Sequence, residues 1–265
     1  MDFLVIGSSL AFLLYILATL AIVTRLFHPK GPNNFLVLSL ATLAIIIHSF
    51  NDAILFFSQN VINFNLPNVI SLVSLMISFV VTTVALRFKV DLLLPVVYGF
   101  AGLWQLVMIF LPPVESIPLV VEQVILLSHI SFALFAYCIL IIATLYAFQV
   151  SYINLKLKSK NLTAVAHLPP LMQVEMQLFN ILTIGTVVLF ISQIIGFAFL
   201  EGFLAKENAH KTVLSLLSLA IYCLILWGHY NKGWRGHRVL ALMVSASGLL
   251  TLAYFGSRLV KEFIL

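Results

Sequence analysis

Charge is scarce in this sequence. Only 9% of its 265 residues are Asp, Glu, Lys or Arg, against roughly 25% in soluble domains. Hydrophobic residues make up 62%, more apolar surface than a soluble core of this size can hide, so lipid must solvate much of the chain. Cysteine is nearly absent. Cys138 and Cys223 both fall inside apolar runs, which excludes a disulfide framework. There is no Cys-x-x-Cys, no His-Glu-x-x-His, no phosphate-cradling Gly-rich loop and no Ser-His-Asp arrangement that the sequence spacing places. No polar stretch exceeds about 30 residues, below the usual domain size, so residues 1–265 read as one transmembrane helical domain. The basic balance, 14 Lys and Arg against 9 Asp and Glu, does not point to nucleic acid. The cations are spread in twos and threes between apolar runs, as membrane topology requires.

What is present is a series of apolar runs. A helix needs about 20 apolar residues to span the hydrocarbon. Eight runs meet or approach that length: Phe3–Phe27, Phe35–Phe57, Asn68–Leu86, Leu92–Leu111, Glu122–Phe148, Leu178–Leu200, Lys211–Tyr230 and Arg238–Arg258. The expected fold is therefore all-α, a polytopic integral membrane protein of about eight transmembrane helices. Pro29, Gly31 and Pro32 close the first loop, and Pro112 and Pro113 end the fourth helix.

The cations set the orientation. Arg25, Lys30, Arg87, Lys89, Lys156, Lys158, Lys160, Lys232, Arg235 and Arg238 fall in alternate loops, and only Lys206, Lys211, Arg258 and Lys261 fall on the other side. The positive-inside rule then puts both termini in the periplasm. No Lys or Arg precedes the first apolar run, so it reads as a retained helix rather than a cleaved signal. Trp227, Tyr230 and Trp234 are placed at the inner interface, where amphipathic rings anchor helices. Val150–Gln177 is the longest loop. It carries three lysines and then Pro169 and Pro170, which force an extended stretch. Helix resumes at Leu171, with Glu175 near a helix N-terminus, where its charge is favoured. This segment is expected to lie on the cytoplasmic surface.

Ionisable groups at membrane depth are costly and therefore mark function. His48 and Asp52 lie on one face of the second run, and His129 follows Glu122 by seven residues in the fifth. Gln105, Asn180 and Gln193 are weaker signals. At a rise of about 1.5 Å per residue, His48 lies about 14 Å and His129 about 10 Å in from the outer ends of their helices. The pair is expected to face each other at one level. His229 belongs to the inner end of its helix and cannot share an iron with His129. Two imidazoles, a Phe-rich slot and outer cations are what a haem (haem b) needs, with His48 and His129 as axial iron ligands and Arg258 as a propionate partner. Asp52 and Glu122 are expected to orient the ligands from behind. The competing reading is that each histidine makes an interhelical hydrogen bond that holds the bundle together.

The most distinctive stretch is Leu226–Arg238, in which Gly233 and Gly236 permit a turn. With Leu72–Ile77, Leu93–Tyr98, Pro169–Met172 and Leu252–Arg258, it resembles the bacterial cytochrome c assembly (CcsA/CcmC/HemX-like) transmembrane family over essentially the whole chain. The resemblance implies a haem-handling helical fold. It matches His129, in Ser128–Ser131, to a haem-binding histidine that follows an outer loop. It matches His229 to a histidine that serves a membrane haem before the Gly-Trp-Arg-Gly turn. The tryptophan-rich outer loop of the synthases is absent, since Gly202–His210 contains no Trp. Their second outer histidine is also missing, with Phe255 and Gly256 in its neighbourhood.

The function expected is a haem-binding or haem-handling inner-membrane protein related to cytochrome c maturation, acting by binding rather than catalysis. Its partners are the lipid bilayer, haem and another membrane protein. The alternative is an accessory or regulatory protein that binds another membrane protein and whose histidines are structural. A transporter would need broken helices and midplane acids, both scarce here.

Overall fold

The computed structural model describes residues 2–26, 31–56, 62–63, 65–111, 118–119, 124–160, 168–199 and 206–256. Eight α-helices lie among them: α1 (Asp2–Val23), α2 (Asn34–Phe56), α3 (Leu66–Ala85), α4 (Leu94–Phe110), α5 (Val124–Lys158), α6 (Leu171–Phe199), α7 (Lys206–Lys232) and α8 (His237–Thr251). A single π-helical turn, Leu252–Gly256, continues α8. Seven of the eight are long and apolar enough to cross a membrane. The exception, α4, has 17 residues, about 25 Å of helix against about 30 Å of hydrocarbon. The protein is a polytopic helical membrane protein. A two-residue antiparallel pair, Ile62–Asn63 with Pro118–Leu119, joins two loops.

The chain divides into two compact units. Unit 1 is Met1–Val120 with Thr163–Leu168, and unit 2 is Val121–Leu162 with Pro169–Leu265. In unit 1, α1 packs chiefly against α4 and α2, while α3 packs against α4 and α2. In unit 2, α5 and α6 form the most extensive pairing, with α7 and α8 beside them.

Helix α1 shows how lipid selects these faces. Ala11, Tyr15, Ala18 and Ile22 recur at helical spacing and are buried. Leu10, Leu13, Leu17 and Leu20, on the other side, are 46–54% exposed. Such a leucine face is stable only against acyl chains, and the small residues opposite let helices approach closely.

Three boundaries show how helix ends depart from the hydropathy reading. Helix α5 runs ten residues past Phe148 to Lys158. No Gly or Pro interrupts 149–160, and the segment turns polar without losing helix propensity. Helix α6 starts at Leu171 and continues unbroken into its span. The predicted surface segment is thus largely two helix extensions flanking 161–170. Pro169 and Pro170 precede α6, and the Pro170 carbonyl accepts from the Gln173 and Val174 amides, closing the first turn. Helix α3 starts at Leu66, two residues before the expected Asn68. Asn65 caps it, accepting from the Asn68 amide at 3.0 Å, with Pro67 in the first turn.

Candidate functional site

In unit 1 a buried polar cluster joins all four helices at the end formed by the α2 C-terminus and the α3 N-terminus. Its centre is Ser71 of α3, which is fully buried. The Ser71 hydroxyl donates to Asp52 Oδ1 at 2.8 Å. His48 Nε2 stands 2.9 Å from Ser71 Oγ, and Gln105 Nε2 of α4 donates to Ser71 Oγ at 3.1 Å. A serine has one proton and two lone pairs. With the proton given to Asp52, His48 Nε2 must be the donor. In the neutral ring Nδ1 then accepts, and the Tyr15 hydroxyl of α1 lies 3.3 Å from it. Both nitrogens of His48 are thereby engaged, in a side chain with no exposure. The remaining Asp52 oxygen, Oδ2, stands 3.4 Å from His48 Nε2 and accepts no hydrogen bond.

A column of hydroxyls continues along α3. Ser71, Ser74, Ser78 and Thr82 share one buried face, and Thr82 lies 2.8 Å from the Tyr98 hydroxyl of α4. Asn51 of α2 reaches back to α1, donating to Ser8 Oγ at 3.2 Å and to the Leu4 carbonyl at 3.4 Å. Ser71, His48 and Asp52 do meet in space, which the sequence spacing did not place. They do not form a nucleophilic triad, because Asp52 and Ser71 crowd the same ring nitrogen. A triad needs the carboxylate on the other one.

In unit 2 the histidines are held differently. His129 Nδ1 lies 2.8 Å from the Ser192 carbonyl of α6. A carbonyl only accepts, so Nδ1 carries the proton and Nε2 the lone pair. The Ser192 hydroxyl closes the pair by donating to the His129 carbonyl at 3.2 Å. His129 is half-buried. His229 at the end of α7 repeats the pattern, with Nδ1 3.2 Å from the Trp234 carbonyl. Its ring stacks on Phe179 of α6 at 3.3 Å between centroids. Along α6, Ser192 and Phe179 are 13 residues apart, about 20 Å of rise. His129 and His229 therefore occupy opposite ends of unit 2 and cannot share one iron.

The turn that orients His229 is built from the stretch singled out by sequence. Gly233 and Gly236 both adopt positive φ, +65° and +64°. The Gly233 amide bonds the His229 carbonyl at 3.0 Å and caps α7. Trp234 folds back onto Gly228, where any Cβ would land on the indole. Arg235 Nε reaches Glu175 Oε1 of α6 at 3.0 Å, which pins the turn. Glu175 thus serves as a buried anchor for the α7–α8 turn as well as sitting near its own helix start.

A family model described as cytochrome C assembly protein matches residues 4–265. The chain belongs to the cytochrome c assembly protein family. It is 40% identical over 259 residues to Inner membrane protein YpjD of Escherichia coli, covering 97% of this chain and 98% of that one. A 28.8 kDa protein of Azospirillum brasilense is 31% identical over 141 residues, 52% of each chain. Protein HemX of Brevibacillus brevis is 27% identical over 179 residues, 62% of this chain and 65% of the relative. No solved structure matches. Membership makes this a multi-pass inner-membrane protein with a haem-related, maturation-type role.

The residues proposed from sequence are distributed over both units of this family member. His48 and Asp52 meet in unit 1, and His129 and His229 stand apart in unit 2. Glu122 and Arg258 lie outside the described residues. Gln105 is buried in the cluster and Gln193 is buried in α6, whereas Asn180 is exposed. Sequence reading missed Ser71, Tyr15 and Ser192. The spacing 71, 74, 78, 82 carries the signal for the first: hydroxyls three and four apart on an apolar helix form one face. Ser192 acts mainly through its backbone, which leaves no trace in the side-chain pattern.

Proposed function

We propose that this chain binds haem in unit 2 and handles it during cytochrome maturation without catalysing attachment. The observation that carries the reading is the 2.8 Å hydrogen bond from His129 Nδ1 to the Ser192 carbonyl. Ligating histidines characteristically give their other ring proton to a carbonyl or carboxylate, which fixes the tautomer and raises the basicity of the ligating nitrogen. Haem, when bound, would bring an iron that takes imidazole nitrogen as a ligand. His129 fits that role, and His229 meets the same criterion at the other end of the unit. Arg258 remains the propionate partner in this reading, and Glu122 a supporting carboxylate. The haem is of the b type, because the two cysteines are 85 positions apart and lack the Cys-x-x-Cys-His pattern of covalent attachment.

His48 fits iron poorly. Ligation at Nδ1 would displace Tyr15, and ligation at Nε2 would strip a donor from Ser71 beside a carboxylate. For this histidine the alternative reading, an imidazole that ties helices together, accounts for every contact. The cation distribution supports a topology with both termini in the periplasm, which puts His129 towards the outer face and His229 at the cytoplasmic face.

The test is the absorption spectrum of protein purified after expression with ample haem. The wild type is expected to show a Soret band. His129→Gly is expected to lose or shift it, and added imidazole to restore it. A wild type without the band, or a His129→Gly spectrum that neither changes nor responds to imidazole, overturns the assignment.

A further inference from the structure

The unit 1 cluster has more acceptors than donors. Asp52 Oδ2 and Gln105 Oε1 are both buried and accept nothing. Both side chains hang from one atom, since Asp52 Oδ1 and Gln105 Nε2 meet the Ser71 hydroxyl at 2.8 and 3.1 Å. Asp52 is 3% exposed and Gln105 1%. A carboxylate oxygen and an amide oxygen left without a donor in such a place are costly.

Among the described residues no Lys or Arg is there to compensate. The described cations of unit 1 are Arg25, Arg87 and Lys89, which follow the C-terminal ends of α1 and α3. Ser71 precedes Arg87 by 16 residues along α3, about 24 Å of rise. The titratable groups around Asp52 are His48 on its own helix and Tyr15 on α1, with Tyr98 of α4 packed against Tyr15, while α3 contributes only hydroxyls. His48 has already given its Nε2 proton to Ser71.

We propose that this cluster is a binding site for one monovalent cation, a proton or a sodium ion, taken up by Asp52 Oδ2 with Gln105 Oε1 as its second oxygen. Both species supply the positive charge that the carboxylate lacks. Bound there, the cation joins the ends of α2 and α4 across Ser71, so its occupancy stabilises unit 1. The site is independent of the haem assignment, which rests on unit 2.

Thermal unfolding of the purified full chain in detergent tests this, followed by tryptophan fluorescence. One arm raises sodium from 1 to 100 mM at constant pH and ionic strength, with choline as the balancing ion. The other lowers pH from 8 to 5.5 without sodium. The wild-type midpoint is expected to rise by about 5 °C in one of the arms, and that arm identifies the cation. Asp52→Asn keeps the shape, supplies its own donor to the neighbouring oxygen, and is expected to lose that response. Gln105→Glu adds a carboxylate and is expected to steepen it. A wild type that responds in neither arm holds at most a water there, and the proposal fails. It fails equally if Asp52→Asn responds in parallel with the wild type. The Soret band is expected to be the same in Asp52→Asn and wild type, so failure here is separable from failure of the haem reading.

Discussion

In unit 1 the ring of His48 is held by side chains from two other helices, with Asp52 one turn along its own. In unit 2 the rings of His129 and His229 are each held by a backbone carbonyl. The difference decides what each imidazole can do. Side-chain partners on both nitrogens leave no lone pair to offer and turn the ring into a cross-brace. A carbonyl opposite Nδ1 fixes the proton there and makes Nε2 the basic nitrogen. The same residue type is thus held in two different ways in the two units.

Substitutions that remove a partner should separate the two arrangements. Ser71→Ala strips His48, Asp52 and Gln105 of a shared partner at once and leaves three buried polar groups unsatisfied. Its cost is expected to be about 3 kcal/mol in an unfolding titration. A value under about 1 kcal/mol would mean that the cluster relaxes easily and braces nothing. Gly228→Ala drives a Cβ into the Trp234 indole. It is expected to cost about 2 kcal/mol, the usual penalty for overpacking, and to red-shift the tryptophan emission as Trp234 is displaced. An unchanged spectrum would remove Trp234 as the group that orients His229.

Tyr15→Phe removes one long hydrogen bond, 3.3 Å, and is expected to cost about 1 kcal/mol. It leaves the Ser71 side of the ring intact, so a loss as large as that of Ser71→Ala would shift the weight of the cluster to Tyr15. Ser192→Ala should have the smallest effect, about 0.5 kcal/mol. The bond that matters to His129 goes to the carbonyl, which survives the substitution. A Ser192→Ala loss matching that of Ser71→Ala would erase the contrast between the units.

Most of the fold was legible because hydropathy reports the solvent directly. Runs such as Phe3–Phe27 and Phe35–Phe57 need only length and apolarity to be placed. The ends of α5 and α6 were not, because past the bilayer the hydropathy signal stops while helix propensity does not. Nothing in Gln149–Lys158 breaks a helix, and only the Pro169–Pro170 pair marks the next start. The division into two units was not visible either, since hydropathy marks each span and not which spans pack together. At the candidate site, His48 and Asp52 were found because they are ionisable and four residues apart. Their actual partners escaped because serine and tyrosine in an apolar helix are common. The pairing of His48 with His129 rested on depth alone. Depth says how far along a helix a ring lies, and hydrogen bonding says which nitrogen it can offer. The latter distinguishes His129 from His48 and needs coordinates.

The most direct test of that distinction is a parallel haem titration of the wild type, His48→Ala and His129→Ala, followed at the Soret band under one set of conditions. The account predicts saturable haem binding in the wild type and in His48→Ala, with His129→Ala at least tenfold weaker. Loss of binding in His48→Ala with retention in His129→Ala would contradict it.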